Sequence, residues 1–337
     1  METSPFPVQR SLLAEDALAG RVLSRYNLPR DTCCRFWQRG INDTYLVEGG
    51  EERHVLRISP AHWRSREHVL AEMRLLRYLS RCGLTVPQPV EQREGTTVQT
   101  LDAPEGPRHA VLFTFVPGSG LPPDPTEDQA RRYGEAIAQF HRVTEDYADP
   151  DAWRFDAEDT IDRPLARLEP LFAGHEDDFA ELVDWSSYLR EFTESLPRTT
   201  PTYGLCHGDV NNGNLHIVDE ERWALLDFEY LGYGPRIFDL ATYINNQLFA
   251  TGQTAQTGRL VEAFLDGYAS LRALSAAERE ALPAFVVLRQ LWLLGVGARN
   301  LPNIGHRLFE HWTFERVMPM LRRWVDAPWV WTEEAVQ

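Results

Sequence analysis

His207-Gly208-Asp209-Val210-Asn211-Asn212-Gly213-Asn214 and, one short strand later, Asp227-Phe228-Glu229 decide the reading of this chain. The first run is polar and punctuated by glycine, and it precedes a short predicted strand, Leu215 to Val218. Trp223-Ala224-Leu225-Leu226 reads as a buried strand that delivers Asp227 at its end. Two carboxylates and a carboxamide thus project from loops at strand ends. Phosphoryl transfer asks for such a set: one carboxylate to accept or orient a hydroxyl proton, and hard oxygen ligands for Mg²⁺. Magnesium takes only one or two carboxylates from protein, so Asp227 with the carboxamide oxygen of Asn214 suffices.

Upstream, Cys33 to Gln38, Thr44 to Glu48 and His54 to Ser59 read as short strands, with Gly40 and Gly49-Gly50 as turns. Before them, residues 10–26 carry Leu12, Leu13, Leu18, Val22, Leu23 and Tyr26 at helical spacing. After them, a helix from about Arg64 to Arg81 gathers Val69, Met73, Leu76 and Leu79 on one face and stops before Gly83 and Pro87. Two more strands are predicted, Val90 to Arg93 and His109 to Phe115. Pro117, Gly118, Gly120, Pro122, Pro123 and Pro125 form the best boundary in the chain. Beyond it the spacing predicts helices over Glu127–Asp146, Phe179–Ser195, Pro235–Phe249, Gly258–Ser270, Pro283–Arg299 and His306–Trp324. A small sheet followed by a larger helical region is an α+β layout. It divides the chain into lobes at 1–116 and 126–337, joined by a linker at 117–125.

Composition narrows the chemistry. A chain of 337 residues suits two lobes better than one core. The net charge of −16 argues against nucleic acid as a partner and is compatible with a cationic substrate. No lysine occurs anywhere in the chain. That excludes Schiff-base chemistry and a Walker loop, and any phosphate-binding cation must be an arginine. The four cysteines, two of them adjacent at Cys33-Cys34, read as reduced thiols without a zinc site. No stretch approaches the roughly 18 apolar residues of a membrane helix, and Met1 to Arg10 has no apolar signal core. The expectation is a cytoplasmic protein with no membrane partner.

The run His207-Gly208-Asp209, Asn214, Asp227-Phe228, Gly234-Pro235 and Asp239-Leu240-Ala241 resembles the aminoglycoside phosphotransferase and choline kinase group, which includes type II homoserine kinases and bacterial stress-response kinases. The resemblance implies a protein-kinase-like bilobal fold over roughly residues 10–325. A small five-stranded antiparallel sheet lobe would precede a larger, mainly helical lobe. It also implies a kinase that moves the γ-phosphate of Mg-ATP to a hydroxyl of a small molecule. In that pattern Asp209 is the catalytic base, and Asn214 and Asp227 hold Mg²⁺. Arg39-Gly40-Ile41-Asn42-Asp43 stands at the phosphate-covering turn, so Gly40 and Asn42 are expected beside the nucleotide. Arg57 stands where such kinases carry a lysine, and Glu72 matches its acidic partner. Phe113-Thr114-Phe115-Val116-Pro117-Gly118 matches the hinge, where the backbone of Thr114 and Val116 would bond adenine. Three departures are visible. Arginine replaces lysine at 57, the turn at Gly40 lacks a run of glycines, and Glu229 stands where protein kinases have glycine.

The remaining polar residues divide into roles. His207 is expected to buttress the loop by hydrogen bonding, His141 to be packed, and Asp239 to fix loop amides from a helix start. Cys206 neighbours His207 on a strand, so the two point to opposite faces and make no nucleophilic pair. Glu229 either assists a metal through water or faces solvent. The acidic stretch from Glu145 to Asp184 either attracts an amine-bearing acceptor or is a solvated face. Two other functions fit less well: a protein Ser/Thr kinase like the stress-response enzymes, and a non-catalytic nucleotide-binding module.

Overall fold

The computed structural model describes residues 6–327. The expectations drawn from Met1 to Arg10 and for the far ends of the lobes therefore fall partly outside the described residues. The chain forms two compact units, Met1–Pro117 with Asp149–Asp151, and Gly118–Ala148 with Ala152–Gln337.

In the first unit, helix α1 (Glu15–Arg21) starts with Glu15 and Asp16 and ends on Arg21, charges that suit the helix dipole. Strands β1 (Cys33–Arg39), β2 (Asp43–Gly49) and β3 (Glu52–Ile58) follow, then α2 (Arg66–Arg81), β4 (Val98–Ala103) and β5 (Gly106–Thr114). The sheet order is β1-β2-β3-β5-β4, and every pairing is antiparallel. Asp43, Tyr45, Val47 and Gly49 alternate as the buried residues of β2. Tyr45 and Val47 meet Leu56, Ile58, Ala110 and Leu112, and this face packs on Leu18, Val22, Leu23 and Tyr26. Ser65 caps α2 by accepting the N–H of His68 (3.2 Å), and Val69, Met73, Leu76 and Leu79 are buried as their spacing predicts.

The fourth strand needs correction. Val90 to Arg93 is not a strand; β4 lies at Val98–Ala103. Val90 gives its N–H to Leu112 (2.8 Å), Gln92 then bonds Thr96 across a tight turn, and the continuous pairing begins only after Gly95.

The second unit opens with β6 (Ser119–Gly120) and α3 (Glu127–Val143), the latter started by a Thr126–Gln129 capping box. Next come β7 (Trp153–Arg154), α4 (Arg163–Leu168), α5 (Glu176–Ser195), β8 (Tyr203–Cys206), β9 (Leu215–Ile217), β10 (Trp223–Leu225) and β11 (Gly232–Pro235). These strands form two small sheets, β10-β9-β6 and β7-β11-β8. The helical layer is α6 (Ile237–Thr251), α7 (Ala255–Leu271), α8 (Ala276–Arg299), α9 (Leu301–Ile304), α10 (His306–Trp312) and α11 (Met318–Asp326). Helices α3 and α7 touch backbone to backbone. A Cβ on Gly134 would lie 2.0 Å from the Phe264 oxygen, and one on Gly267 would lie 1.9 Å from the Arg131 oxygen.

Three helix readings change. Helix α8 starts at Ala276, under a Ser275–Glu278 capping box, and keeps Pro283 in its interior. The single helix expected over His306–Trp324 is interrupted by a wider turn at Thr313–Val317. Among the described residues α8 is also long and apolar enough to cross a membrane, with a mean hydropathy of 1.6 over 18 residues, contrary to the sequence reading. In this fold 72% of that window is buried inside the protein.

Candidate active site

Strand β8 ends at Cys206, and the chain turns sharply at Gly208 (φ +82°), where a Cβ would strike the Tyr230 oxygen at 2.4 Å. Only glycine fits there. The turn is fixed from below by Asp239 in the first turn of α6. Its Oδ2 accepts the His207 N–H (2.7 Å) and its Oδ1 accepts the Gly208 N–H (2.8 Å). Burial pushes the Asp239 carboxyl up, but hydrogen bonds and charge, led by His141, outweigh it and hold the group below the usual aspartate range.

His207 is fully buried. Its Nε2 donates to the Leu226 oxygen (2.8 Å) and its Nδ1 accepts the Asp209 N–H (3.3 Å), which fixes a neutral tautomer. Leu226 in turn gives its N–H to the Asn214 oxygen (2.8 Å). The residue before Asp227 is thus tied at both ends to the His207–Asn214 loop. Asp227 itself has φ +56°, a left-handed conformation that non-glycine residues adopt at a cost and that clusters at functional sites.

The Asp209 carboxylate is held on both oxygens. Oδ2 accepts from Asn211 Nδ2 (2.9 Å) and Asn214 Nδ2 (2.8 Å), and Oδ1 accepts from Arg289 Nη2 (2.8 Å). Arg289 also donates to the Gly208 oxygen (2.8 Å), and its guanidinium stacks over Trp292, 4.5 Å from the ring centroid. Sequence reasoning missed Arg289 and Asn211. The available signal for Arg289 was a lone cation inside Phe285-Val286-Val287-Leu288-Arg289-Gln290-Leu291, since a charge in an apolar helix needs a partner. Because Asn214 donates its amide nitrogen to Asp209, its amide oxygen points away from that carboxylate.

Behind the loop runs a buried chain of polar groups. His141 Nε2 donates to Asp239 Oδ2 (2.9 Å), and Tyr268 OH bonds His141 Nδ1 (2.8 Å). Arg272 reaches Tyr268 OH (3.0 Å) and Glu278 (2.5 Å). Burial lowers His141 to about 4, against the opposing pull of Asp239. His141, Cys206 and Asp239 lie together in the manner of a metal triad. The hydrogen bonds already occupy both His141 nitrogens and both Asp239 oxygens, and burial drives the Cys206 thiol well above its usual range.

In the first unit, Arg57 Nη2 bonds Glu72 Oε2 (2.5 Å). A second cation that sequence reasoning missed, Arg64, bonds the same oxygen through Nη1 (2.6 Å). Gly40 tops the β1–β2 turn in open space and bonds the Asn42 oxygen (3.0 Å), and Asn42 is buried. Thr114 gives its N–H to the Gln88 oxygen (2.9 Å), and Val116 follows two residues after it. Glu229 is buried. In the acidic stretch, Asp149 and Asp151 pair with Arg74, Glu158 and Asp159 with Arg163, Asp162 with Arg190, and Asp178 with Arg322.

A sequence model of the phosphotransferase enzyme family, APH, matches residues 32–274. The chain belongs to this family. It is a phosphotransferase of the kind that acts on alcohol groups, with the protein-kinase-like fold. A protein of Synechocystis sp. described only as uncharacterized is 30% identical over 326 residues, covering 96% of this chain and 89% of the relative. A homoserine kinase of Hyphomonas neptunium is 29% identical over 286 residues, 81% of this chain and 82% of the enzyme. Among solved structures, an amicoumacin kinase in complex with AMP-PNP, Ca²⁺ and Ami superposes with a TM-score of 0.72 at 21% identity, covering 93% of this chain and 92% of its own. Arg289 lies beyond residue 274, outside the stretch that the family sequence model covers.

Proposed function

We propose that the protein is a cytoplasmic, ATP- and Mg²⁺-dependent small-molecule kinase that phosphorylates a hydroxylated amine or amino acid, with Asp209 as the residue that receives the acceptor hydroxyl. The observation that carries this reading is the state of the Asp209 carboxylate. Oδ2 already accepts two hydrogen bonds and is filled, whereas Oδ1 accepts one, from Arg289. An oxygen of a carboxylate takes about two donors, so Oδ1 has room for a hydroxyl.

The residues fit a divalent cation. Asn214 turns its amide oxygen away from Asp209, and Asp227 is held at a strand end in a strained conformation. One carboxylate and one carboxamide oxygen are a donor set that Mg²⁺ accepts, the rest of its shell being water and phosphate. When bound, the ion neutralises charge that builds on the phosphates. Arg57 supplies the protein's own charge to the same phosphates, fixed by Glu72. Gly40 and Asn42 cover them, and the Thr114 carbonyl with the Val116 N–H reads the adenine. Asp209 Oδ1 aligns the acceptor hydroxyl and takes its proton as the new oxygen–phosphorus bond forms and the bond to the leaving ADP oxygen breaks. Positioning and charge supply most of the acceleration in such transfers.

Homoserine is a hydroxylated amino acid, and the relative that phosphorylates it matches four-fifths of this chain. The net charge of −16 suits an acceptor with an amine. An ATP-consumption screen over hydroxylated amino acids, amino alcohols and amine-bearing antibiotics tests the reading, with Asp209→Ala as control. A hit should lose turnover by about 10²–10⁴ in that variant. Equal turnover in the two proteins would remove Asp209 from the chemistry.

A further inference from the structure

Asp43 opens β2 directly after the β1–β2 turn, and its carboxylate is fully buried among three guanidinium groups. Oδ1 accepts from Arg10 Nη2 and from Arg39 Nε, each at 2.8 Å, and Oδ2 accepts from Arg108 Nη2 (2.7 Å). The same Arg10 nitrogen also donates to the Ile41 oxygen (2.8 Å), in the middle of the turn. One atom of the segment ahead of α1 thus holds the turn at its centre and at its foot. Neutralising Asp43 does not need it. Arg108 is itself fully buried and fixed to the Ser59 and Ser11 oxygens (2.9 and 3.0 Å), and Arg39 pairs with Asp43 from the other side of the turn. With Glu105, 3.5 Å from Arg108 Nη1, the cluster holds three cations and two carboxylates, so one cation is in excess. The Arg10 side chain is 7% exposed, and its Nε and Nη1 are buried with no acceptor among the described residues. Burial leads in pulling its guanidinium below the usual arginine range, Asp43 pulls it back, and the like charges of Arg39 and Arg108 add to the fall. Burying a charge that its partner does not require is disfavoured, so what Arg10 supplies is placement.

We propose that Arg10 is a positioning residue for the phosphate donor: it clasps the β1–β2 turn from the sheet face that packs on α1 and aims the turn's backbone at the phosphates. This rests on the reading of that turn as the phosphate-covering turn. Asp43 lies on the α1 face with Tyr45 and Val47, so Arg10 grips the turn from that side. A trans peptide is planar, with its C=O and N–H pointing in opposite directions. With the Ile41 oxygen drawn to Arg10, the Asn42 N–H is aimed away from Arg10, toward the other face of the sheet. Arg57 lies on that other face, because Leu56 and Ile58 on either side of it pack toward α1. The turn lacks a run of glycines, and Gly40 already gives its N–H to the Asn42 oxygen (3.0 Å). With few amides to offer a phosphate, their direction decides the binding, since a hydrogen bond weakens steeply as it bends.

The test measures binding of ATP with Mg²⁺ and of adenosine by calorimetry, and amide hydrogen exchange across the turn. It uses the full-length protein, Arg10→Met, Arg10→Lys and Gly40→Asp. In Arg10→Met, Asp43 keeps Arg39 and Arg108, so no buried charge is stranded and the variant should fold. Its turn amides should exchange about 10-fold faster or more, while those of β3 and β5 keep the parent rate. ATP should weaken about 5- to 30-fold, the size of one or two lost hydrogen bonds, and adenosine should stay within about twofold. Arg10→Lys, whose ammonium has donors for both acceptors, should stay within about threefold of the parent for ATP. ATP affinity unchanged in Arg10→Met overturns the proposal, and so does a parallel loss of ATP and adenosine, which marks a purely structural role. If Arg10→Met does not fold, Arg10→Gln is held to the same two outcomes. Gly40→Asp sets a carboxylate on the open top of the turn and tests the underlying reading by itself. A loss of ATP binding there with none in Arg10→Met removes Arg10 alone, whereas unchanged binding in both removes the turn from the phosphates.

Discussion

Replacing Arg289 by methionine keeps the length and apolar stem of the side chain and removes its charge. Two acceptors lose their donor at once, Asp209 Oδ1 and the Gly208 oxygen, each 2.8 Å away. Breaking a fully buried pair costs about 3–5 kcal/mol. Here the Arg289 side chain is 2% exposed but Asp209 is 22% exposed, so water can re-enter on the carboxylate side. Asp209 also keeps both amide donors on Oδ2. The expected loss of folding stability is therefore smaller, about 1–3 kcal/mol. The kinetic loss should be larger than this suggests. With Oδ1 released, the carboxylate is anchored at one oxygen and can rotate, and a misplacement of about 1 Å can cost about 10²-fold in rate. Steady-state kinetics on an acceptor found by screening should give kcat lowered about 10- to 100-fold with the KM for ATP changed less than about threefold. Arg289→Lys should fall between, since one ammonium cannot span both acceptors in a fixed plane. A kcat within about twofold of the parent in folded Arg289→Met would refute the reasoning, and Arg289 would be a packing residue only.

Three other outcomes follow from the same geometry. Asp227→Ala should abolish the magnesium-dependent part of ATP binding in a calorimetric titration while the fold survives; unchanged heats would place the metal elsewhere. Gly267→Ala puts a methyl group 1.9 Å from a backbone oxygen of α3 that cannot step aside, and urea unfolding should show a loss of about 3 kcal/mol or more. His141 is neutral in the folded protein down to about 4, whereas the unfolded chain takes up its proton near pH 6.5. Stability is therefore full above about pH 6.5 and falls as the pH drops from there toward about 4, by about 3 kcal/mol from this group. Thermal melts from pH 4.5 to 7.5 should show a shallower fall in His141→Gln.

The strands and helices that the sequence discloses are those whose burial follows one period. β2 alternates buried and half-buried residues without a break, and α2 buries Val69, Met73, Leu76 and Leu79 at helical spacing. The fourth strand was hidden because Val90 bonds the sheet briefly before the Gln92–Gly95 turn, so a local apolar cue stood beside the true strand. Pro283 misled in another way. Proline favours a first helical turn, but Ser275 and Glu278 already form a capping box there, and α8 carries the proline further in. In the candidate site, Asp209, Asn211 and Asn214 are close in sequence, and a short loop brings them together. Arg289 and Arg272 come from helices far along the chain, and no spacing rule says which loop a buried arginine will reach.

The absence of lysine has a structural consequence beyond charge. Arg289 joins Asp209 to the Gly208 oxygen, Arg64 joins Glu72 to the His68 oxygen, and Arg108 joins Asp43 to the backbone oxygens of Ser11 and Ser59. Each of these three carboxylates is thus tied, through one planar cation, to a backbone carbonyl. A guanidinium has five donors in a fixed plane and can hold a carboxylate and a carbonyl together, which an ammonium does only with loose geometry. At Asp43 this ties the segment at Arg10 and Ser11 to the start of β2, and Arg10 reaches the Ile41 oxygen (2.8 Å) in the neighbouring turn. The same device therefore appears under the candidate phosphate-covering turn, beside the candidate phosphate-binding cation and on the candidate base. A chain limited to arginine gains rigid backbone ties at those sites.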